Sequence, residues 1–180
     1  CNNTIDVISK FIENNEDDSA FYIVNIKKIV EQYEKWVDLL PRVKPFYALK
    51  CNPNPVITKL LNTFNIGFDC ASKNEISQVI SHDADPSRII FANPCKASGQ
   101  IKFARSEDVD LMTFDDVHEL YKIKLYHPHA KLVLRITVDD SKSVCKFNCK
   151  FGASSTEIKH ILKIAKSLDL NVMGVSFHVG

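Results

Sequence analysis

The sequence predicts an α/β fold of the (β/α)8 barrel type, incomplete, with about six of the eight βα units present. Three observations carry this reading. Apolar runs rich in β-branched and aromatic residues recur about every twenty residues, and most lack polar alternation, as buried parallel strands do. Amphipathic helical patterns fill the intervals between them. Polar residues stand at the ends of the runs, whereas no GxGxxG or GxxxxGK[ST] motif follows any of them. An open doubly wound sheet also fits strand–helix alternation. The missing nucleotide loops and the polar strand ends favour the barrel, whose chemistry collects at the C-terminal ends of its strands.

The elements follow in order. FYIV at 21–24 reads as a strand outside the barrel. Ile29, Tyr33, Trp36 and Leu40 recur at helical spacing before the first barrel strand, PFYALK at 45–50. Ile57, Leu60, Leu61 and Phe64 form the next helical stripe, followed by IGFDC at 66–70 and RIIFAN at 88–93. LMTFD at 111–115 leads to a helix carrying Glu119, Leu120 and Ile123, with Asp115 or Asp116 as its cap. KLVLRI at 131–136 precedes a longer insertion, and Ser154 or Ser155 is expected to cap the helix of Ile161, Leu162, Ala165 and Leu168. VMGVSFHV at 172–179 is the last strand.

Composition narrows the class. A formal charge of +1 over 180 residues gives no sign of a nucleic-acid or membrane partner, and no stretch approaches the length of a membrane span. The six cysteines show no CxxC and no zinc-ligand spacing, so no metal site is expected. Several of them lie in or beside apolar strands, which suits free buried thiols in a reducing, cytoplasmic compartment. The chain starts at Cys1 without a methionine and stops at Gly180 directly after a strand, so a fragment is expected.

Lys50 is the most informative residue. It ends an apolar strand, and a lysine at the mouth of an apolar pocket loses its proton to desolvation and can then condense with an aldehyde. In a barrel, Lys50, Asp69, Asn93, Asp115, Arg135 and His178 converge on one face. Taken singly, His178 reads as a core histidine and Arg135 as a salt-bridge residue. Asn93 before Pro94 reads as a turn without chemistry, and residues 139–142 as a solvated loop. Cys51 and Cys70 read as packing thiols.

PFYALKCN, GFDCASKNEI, RIIFANPCK, MTFD, KLVLRI, DDSKSVC, KFGA and GVSFHVG occur in this order over nearly the whole chain. Together they resemble the amino-terminal half of the eukaryotic ornithine decarboxylases, pyridoxal-phosphate enzymes with an alanine-racemase-like barrel. The resemblance implies a domain plan: residues 1–24 contribute to a β-domain, residues 25–180 form a partial pyridoxal-binding barrel, and the rest of the β-domain is absent. It implies that Lys50 carries pyridoxal 5′-phosphate and is the catalytic lysine. It further implies that His178 stacks on the ring, that Arg135 lies beside it, and that Asp69 and Glu75 shape the cofactor site and orient Arg135 and Lys50. Asp115 and Lys150 are expected at the interface of a head-to-tail homodimer, and residues 100–124, with Lys102, Lys122 and Lys124, match an antizyme-binding region.

The implied reaction is decarboxylation of L-ornithine to putrescine in polyamine biosynthesis. The family's glycine-rich phosphate loop, its carboxylate for the pyridine nitrogen, its substrate aspartates and its catalytic cysteine have no counterpart in these 180 residues, so this stretch alone is expected to be inactive. Two alternatives remain open at this level: a non-catalytic, antizyme-inhibitor-like relative, and a decarboxylase of lysine, arginine or a related amino acid.

Overall fold

The computed structural model describes residues 3–180. It divides into two compact units, residues 1–35 and residues 36–180. In the first unit, helix α1 (Thr4–Glu13) is opened by the Asn3 side chain, which accepts from the Ile5 N–H at 3.3 Å. The Phe11 and Phe21 rings meet with centroids 4.4 Å apart. The strand expected at 21–24 does not form, because no segment among the described residues pairs with it. Its side chains stay exposed, Tyr22 to 99%. Helix α2 (Ile26–Leu39) begins in this unit, at the helical stripe expected there.

The second unit is a strict repeat. Strand β1 (Phe46–Ala48) is followed by α3 (Pro55–Thr63), β2 (Gly67–Cys70), α4 (Lys73–Ile80), β3 (Ile89–Phe91), α5 (Ser98–Ser106), β4 (Leu111–Phe114), α6 (Val117–Tyr126), β5 (Lys131–Arg135), α7 (Ile158–Ser167) and β6 (Asn171–Ser176). The six strands form one sheet in the order β1-β2-β3-β4-β5-β6, every neighbouring pair parallel. This order decides between the two architectures. A doubly wound sheet reverses direction at a switch point, whereas here every crossover steps the same way, as the staves of a barrel do. The arc comprises six of the eight strands that close such a barrel.

The chain repeats its own punctuation. Asn54 caps α3 ahead of Pro55, Ser72 caps α4 and Asp116 caps α6, each side chain accepting a backbone N–H of the first turn. The helix ends are equally regular. Asn65, Asp83, Asp108 and Asp169 take positive φ after α3, α4, α5 and α7, a conformation that Asn and Asp tolerate best after Gly. After three of them the next N–H reaches back five residues, Ala84 to Val79, Val109 to Ala104 and Leu170 to Ala165. The residue after each Asp or Asn turns inward, and Ile66, Ala84, Val109 and Leu170 are buried. Ahead of α7, Ser154 heads the entering turn, its Oγ on the Glu157 carboxylate and its carbonyl accepting from the Glu157 N–H at 3.0 Å, but the helix proper starts at Ile158.

The core lies between sheet and helices. Phe68, Phe91, Phe114, Met112 and Leu132 from the strands pack with Ile76, Ile101, Leu120 and Ile123 from the helices, all essentially without solvent exposure. Fully burying side chains of this size stabilises the fold by about 1.5–3 kcal/mol each. The expectation of several buried thiols is corrected here. Of the five described free cysteines only Cys70 is buried, while Cys51, Cys95, Cys145 and Cys149 are exposed because they lie in turns rather than strands. Cys51 is therefore not a packing residue.

Candidate functional site

The C-terminal ends of the strands enclose a cavity of about 240 Å³. Lys50 reaches it from the 3-10 turn Leu49–Cys51 that ends β1, Arg135 from the last residue of β5, and His178 from just beyond β6. The sequence places these residues at strand ends far apart in the chain, and the sheet brings them to one wall. Lys50 itself is exposed, at the end of β1, an edge strand of this six-stranded arc.

Asp69 stands on β2 opposite Ala48, next to this wall without lining it. Burial pushes its carboxyl above the usual aspartate range and Glu75 adds to that, while Lys50, His178 and Arg135 pull the other way. Among the described residues neither Asp69 nor Glu75 forms an ion pair with Lys50 or Arg135, so the expected orienting contacts are absent. Glu75 serves its own helix instead. Its Oε2 accepts from the Ala71 N–H at 2.6 Å while Ser72 Oγ accepts from the Glu75 N–H at 3.3 Å, a reciprocal cap that fixes the turn bearing Ala71 at the cavity. The Cys70 thiol is pushed up by burial and by Glu75 and Asp69, so it is an inert packing group.

The segment between β5 and α7 holds what sequence reasoning missed. Phe147 meets His178 edge to face, with centroids 4.9 Å apart and planes at 74°, and Arg135 lies 4.9 Å over the Phe151 ring. Both phenylalanines line the cavity. Asp140, expected in a solvated loop, is buried, and its Oδ2 accepts from the Phe147 N–H at 2.6 Å and the Asn148 N–H at 3.0 Å. The Asn148 N–H does most to hold the Asp140 carboxyl below its ordinary range. The available signal was the pair of aromatics in KFNCKFG, spaced by polar residues that hid a cavity wall. Asn93, read as a turn without chemistry, also lines the cavity with Pro94.

Asp115 stands behind this wall. Its Oδ2 accepts from the Gly152 N–H at 2.7 Å; burial raises its carboxyl above the ordinary value, opposed by that bond and by Arg135. Gly152 has φ +100°, and a Cβ there would lie 2.8 Å from Ile136 C and Thr137 N. Gly152→Ala is therefore expected to destabilise the unit by about 2 kcal/mol or more, through φ strain and a backbone clash. A denaturant midpoint within error of the parent would contradict this. Lys150 is exposed and takes no part in the cavity.

The donor set suits one type of guest. A primary amine, a permanent cation and an imidazole held by an aromatic edge surround a space of about 240 Å³, which fits a compact, anionic, aromatic aldehyde. Residues 26–180 match the family model of the pyridoxal binding domain of the pyridoxal-dependent decarboxylases.

The chain belongs to this decarboxylase family.

It is 49% identical over 180 residues to the ornithine decarboxylase of Schizosaccharomyces pombe, covering 99% of this chain and 42% of that protein. It is 46% identical over 169 residues to antizyme inhibitor 2 of Xenopus laevis, covering 94% of this chain and 37% of that protein. The crystal structure of the arginine decarboxylase of Paramecium bursaria Chlorella virus superposes with a TM-score of 0.94 at 42% identity, over 97% of this chain and 47% of that one. The chain thus spans less than half the length of these relatives. The barrel favoured by the strand pattern and the pyridoxal cofactor implied by the resemblance are those of this decarboxylase family.

Proposed function

We propose that this chain is the amino-terminal, pyridoxal-binding part of a decarboxylase that converts L-ornithine to putrescine and carbon dioxide. The observation that carries the proposal is the meeting of Lys50, Arg135 and His178 around one cavity in a chain 49% identical to a fungal ornithine decarboxylase. When bound there, pyridoxal phosphate would supply an electron-accepting ring for the pair left by a departing carboxylate.

The protein's own groups do the rest. Lys50, the primary amine lining the cavity, would hold the cofactor through its aldehyde. His178, braced by Phe147, would be the side chain that holds the cofactor's ring. Burial draws the Arg135 pKa down from its ordinary value, opposed by Asp115 and Asp69. Its guanidinium stays charged at neutral pH and fixes a positive field on that side. Asp69 adds a carboxyl beside the site, felt by Lys50, His178 and Arg135. Glu75 acts by shaping the Ala71 turn.

The proposal extends to the assembly. Residues 1–24 belong with a β-domain, supported by the exposed, unpaired apolar run at 21–24. Exposed Lys150, and Asp115 with its bond to Gly152, suit a homodimer interface beside the site. A cytoplasmic location agrees with five free thiols. No described helix is long and apolar enough to cross a membrane. In the antizyme region, Lys122 is tied to Glu119, so Lys124 and the exposed Lys102, which lies 4.6 Å over the Tyr126 ring, are the side chains left to meet a partner.

The second reading, an antizyme-binding relative without activity, is favoured by the 46% identity to antizyme inhibitor 2; the intact lysine cavity favours the enzyme. The full-length protein with pyridoxal phosphate should release labelled carbon dioxide from ornithine at least about tenfold faster than from lysine or arginine, a preference of ~1.4 kcal/mol in the barrier. Release from lysine or arginine instead would reassign the substrate. No release from any of them, together with antizyme binding, would establish the second reading.

A further inference from the structure

Lys96 is a buried lysine that neither the cavity nor the proposed chemistry uses. It is 1% exposed, in the turn between β3 and α5. Its ammonium carries three N–H donors, and three acceptors meet them: Thr113 O at 2.6 Å, Glu119 Oε1 at 2.8 Å and Asn93 O at 3.0 Å. A neutral amine has two donors and would leave one of these buried acceptors unmatched, so the geometry calls for the charged form. Its backbone is held as well. The Lys96 N–H donates to Glu119 Oε1 at 3.2 Å, and Lys122 Nζ donates to Lys96 O at 2.7 Å while lying 2.5 Å from Glu119 Oε2.

This network fastens one short turn, residues 93–96, to strand β4 and helix α6. The turn matters because its first half, Asn93 and Pro94, lines the cavity of Lys50, Arg135 and His178. Asn93 faces both ways: its carbonyl accepts from Lys96, its Oδ1 accepts from the Cys95 N–H at 3.1 Å, and its side-chain amide donates to Ala71 O at 3.4 Å, across to the neighbouring cavity turn. Burial of an ion pair is a weak source of net stability, since desolvation cancels most of the attraction. Positional definition is what a three-way clamp supplies.

We infer that the buried Lys96–Glu119–Lys122 clamp is a positioning device that presets the Asn93–Pro94 wall for the pyridoxal cofactor, which none of the three residues touches. The inference rests on the reading of the cavity as the pyridoxal site. Coupling of this kind is reciprocal: what the wall does for cofactor affinity, the cofactor does for the wall.

The test uses the full-length protein, freed of cofactor and then reloaded with pyridoxal phosphate. Loading should slow hydrogen exchange at the Cys95 and Lys96 amides by about tenfold, in a turn that does not itself hold Lys50. The paired variant Lys96→Met/Glu119→Leu removes both buried charges together. It should fold, weaken pyridoxal phosphate binding by about tenfold or more, and leave the reduced cofactor attached to the same lysine peptide. Equal exchange at those amides with and without cofactor would overturn the inference even if the paired variant failed to fold. A folded variant with affinity within about twofold of the parent would overturn it too. If the parent protein binds no pyridoxal phosphate, the reading of the cavity itself is wrong, and the inference falls with it.

Discussion

Lys50→Ala should abolish turnover in the full-length protein, lowering kcat about a thousandfold or more, which corresponds to ~4 kcal/mol of barrier. The size follows from the position of the amine. Among the residues that line the cavity, Lys50 alone carries a primary amine, and Arg135 cannot substitute, because a guanidinium is protonated at any working pH. Losing it removes the covalent hold on the cofactor while leaving the His178 and Arg135 walls in place. The exposed side chain of Lys50 makes few packing contacts, so Ala should leave the unfolding midpoint nearly unchanged. Loss of activity at unchanged stability is the expected signature. Activity within about tenfold of the parent would place the reacting amine elsewhere.

Glu119→Leu should be the most destabilising change in the barrel arc, by about 3–5 kcal/mol. Glu119 is 3% exposed and holds two lysines on its two oxygens. Leucine fits a buried helix position, yet it strands the Lys96 ammonium, 1% exposed, with two backbone carbonyls and no counter-charge. Burial already draws the Lys96 pKa down and Glu119 is the main opposing influence, so its removal drives the lysine toward the neutral form. Lys122 is part-exposed and can turn to water. Lys96→Met/Glu119→Leu should recover most of the loss, because the charges leave together. A lower urea midpoint at unchanged slope for the single variant, largely restored in the double, is the expected pattern. Additive losses in the double would mean zero coupling between Lys96 and Glu119 and would contradict this account.

How legible was all this in the sequence? The six strands and helices α3, α6 and α7 follow from period and composition, since buried parallel strands have nothing polar to disguise them, whereas no stripe was singled out for α4 or α5. Lys50, Arg135 and His178 could be placed because they interrupt apolar runs at their ends. Three kinds of feature were hidden. FYIV has the composition of a strand, but a strand needs a partner and none among the described residues supplies one. Phe147, Phe151 and Asp140 lie in a polar stretch, and only the fold-back of that stretch, with Thr137 N–H on Ala153 O and Ala153 N–H on Arg135 O, brings the two aromatics to the cavity, where Asp140 holds the Phe147 N–H. Lys96 and Glu119 look like surface charges in the sequence and are buried because each satisfies the other across a turn and a helix. One signal was readable and passed over: an Asn or Asp two to six residues before several strands marks the helix ends that aim those strands.

The central claim is that Lys50 carries the pyridoxal cofactor, and the most direct measurement is to trap it. The full-length protein is loaded with pyridoxal phosphate, its absorbance is recorded, and it is reduced with borohydride and digested. The account predicts a protein-bound cofactor band that disappears on reduction and a pyridoxyl group on the peptide containing Lys50. A folded protein that shows no such band, or that carries the adduct on another lysine, would contradict it.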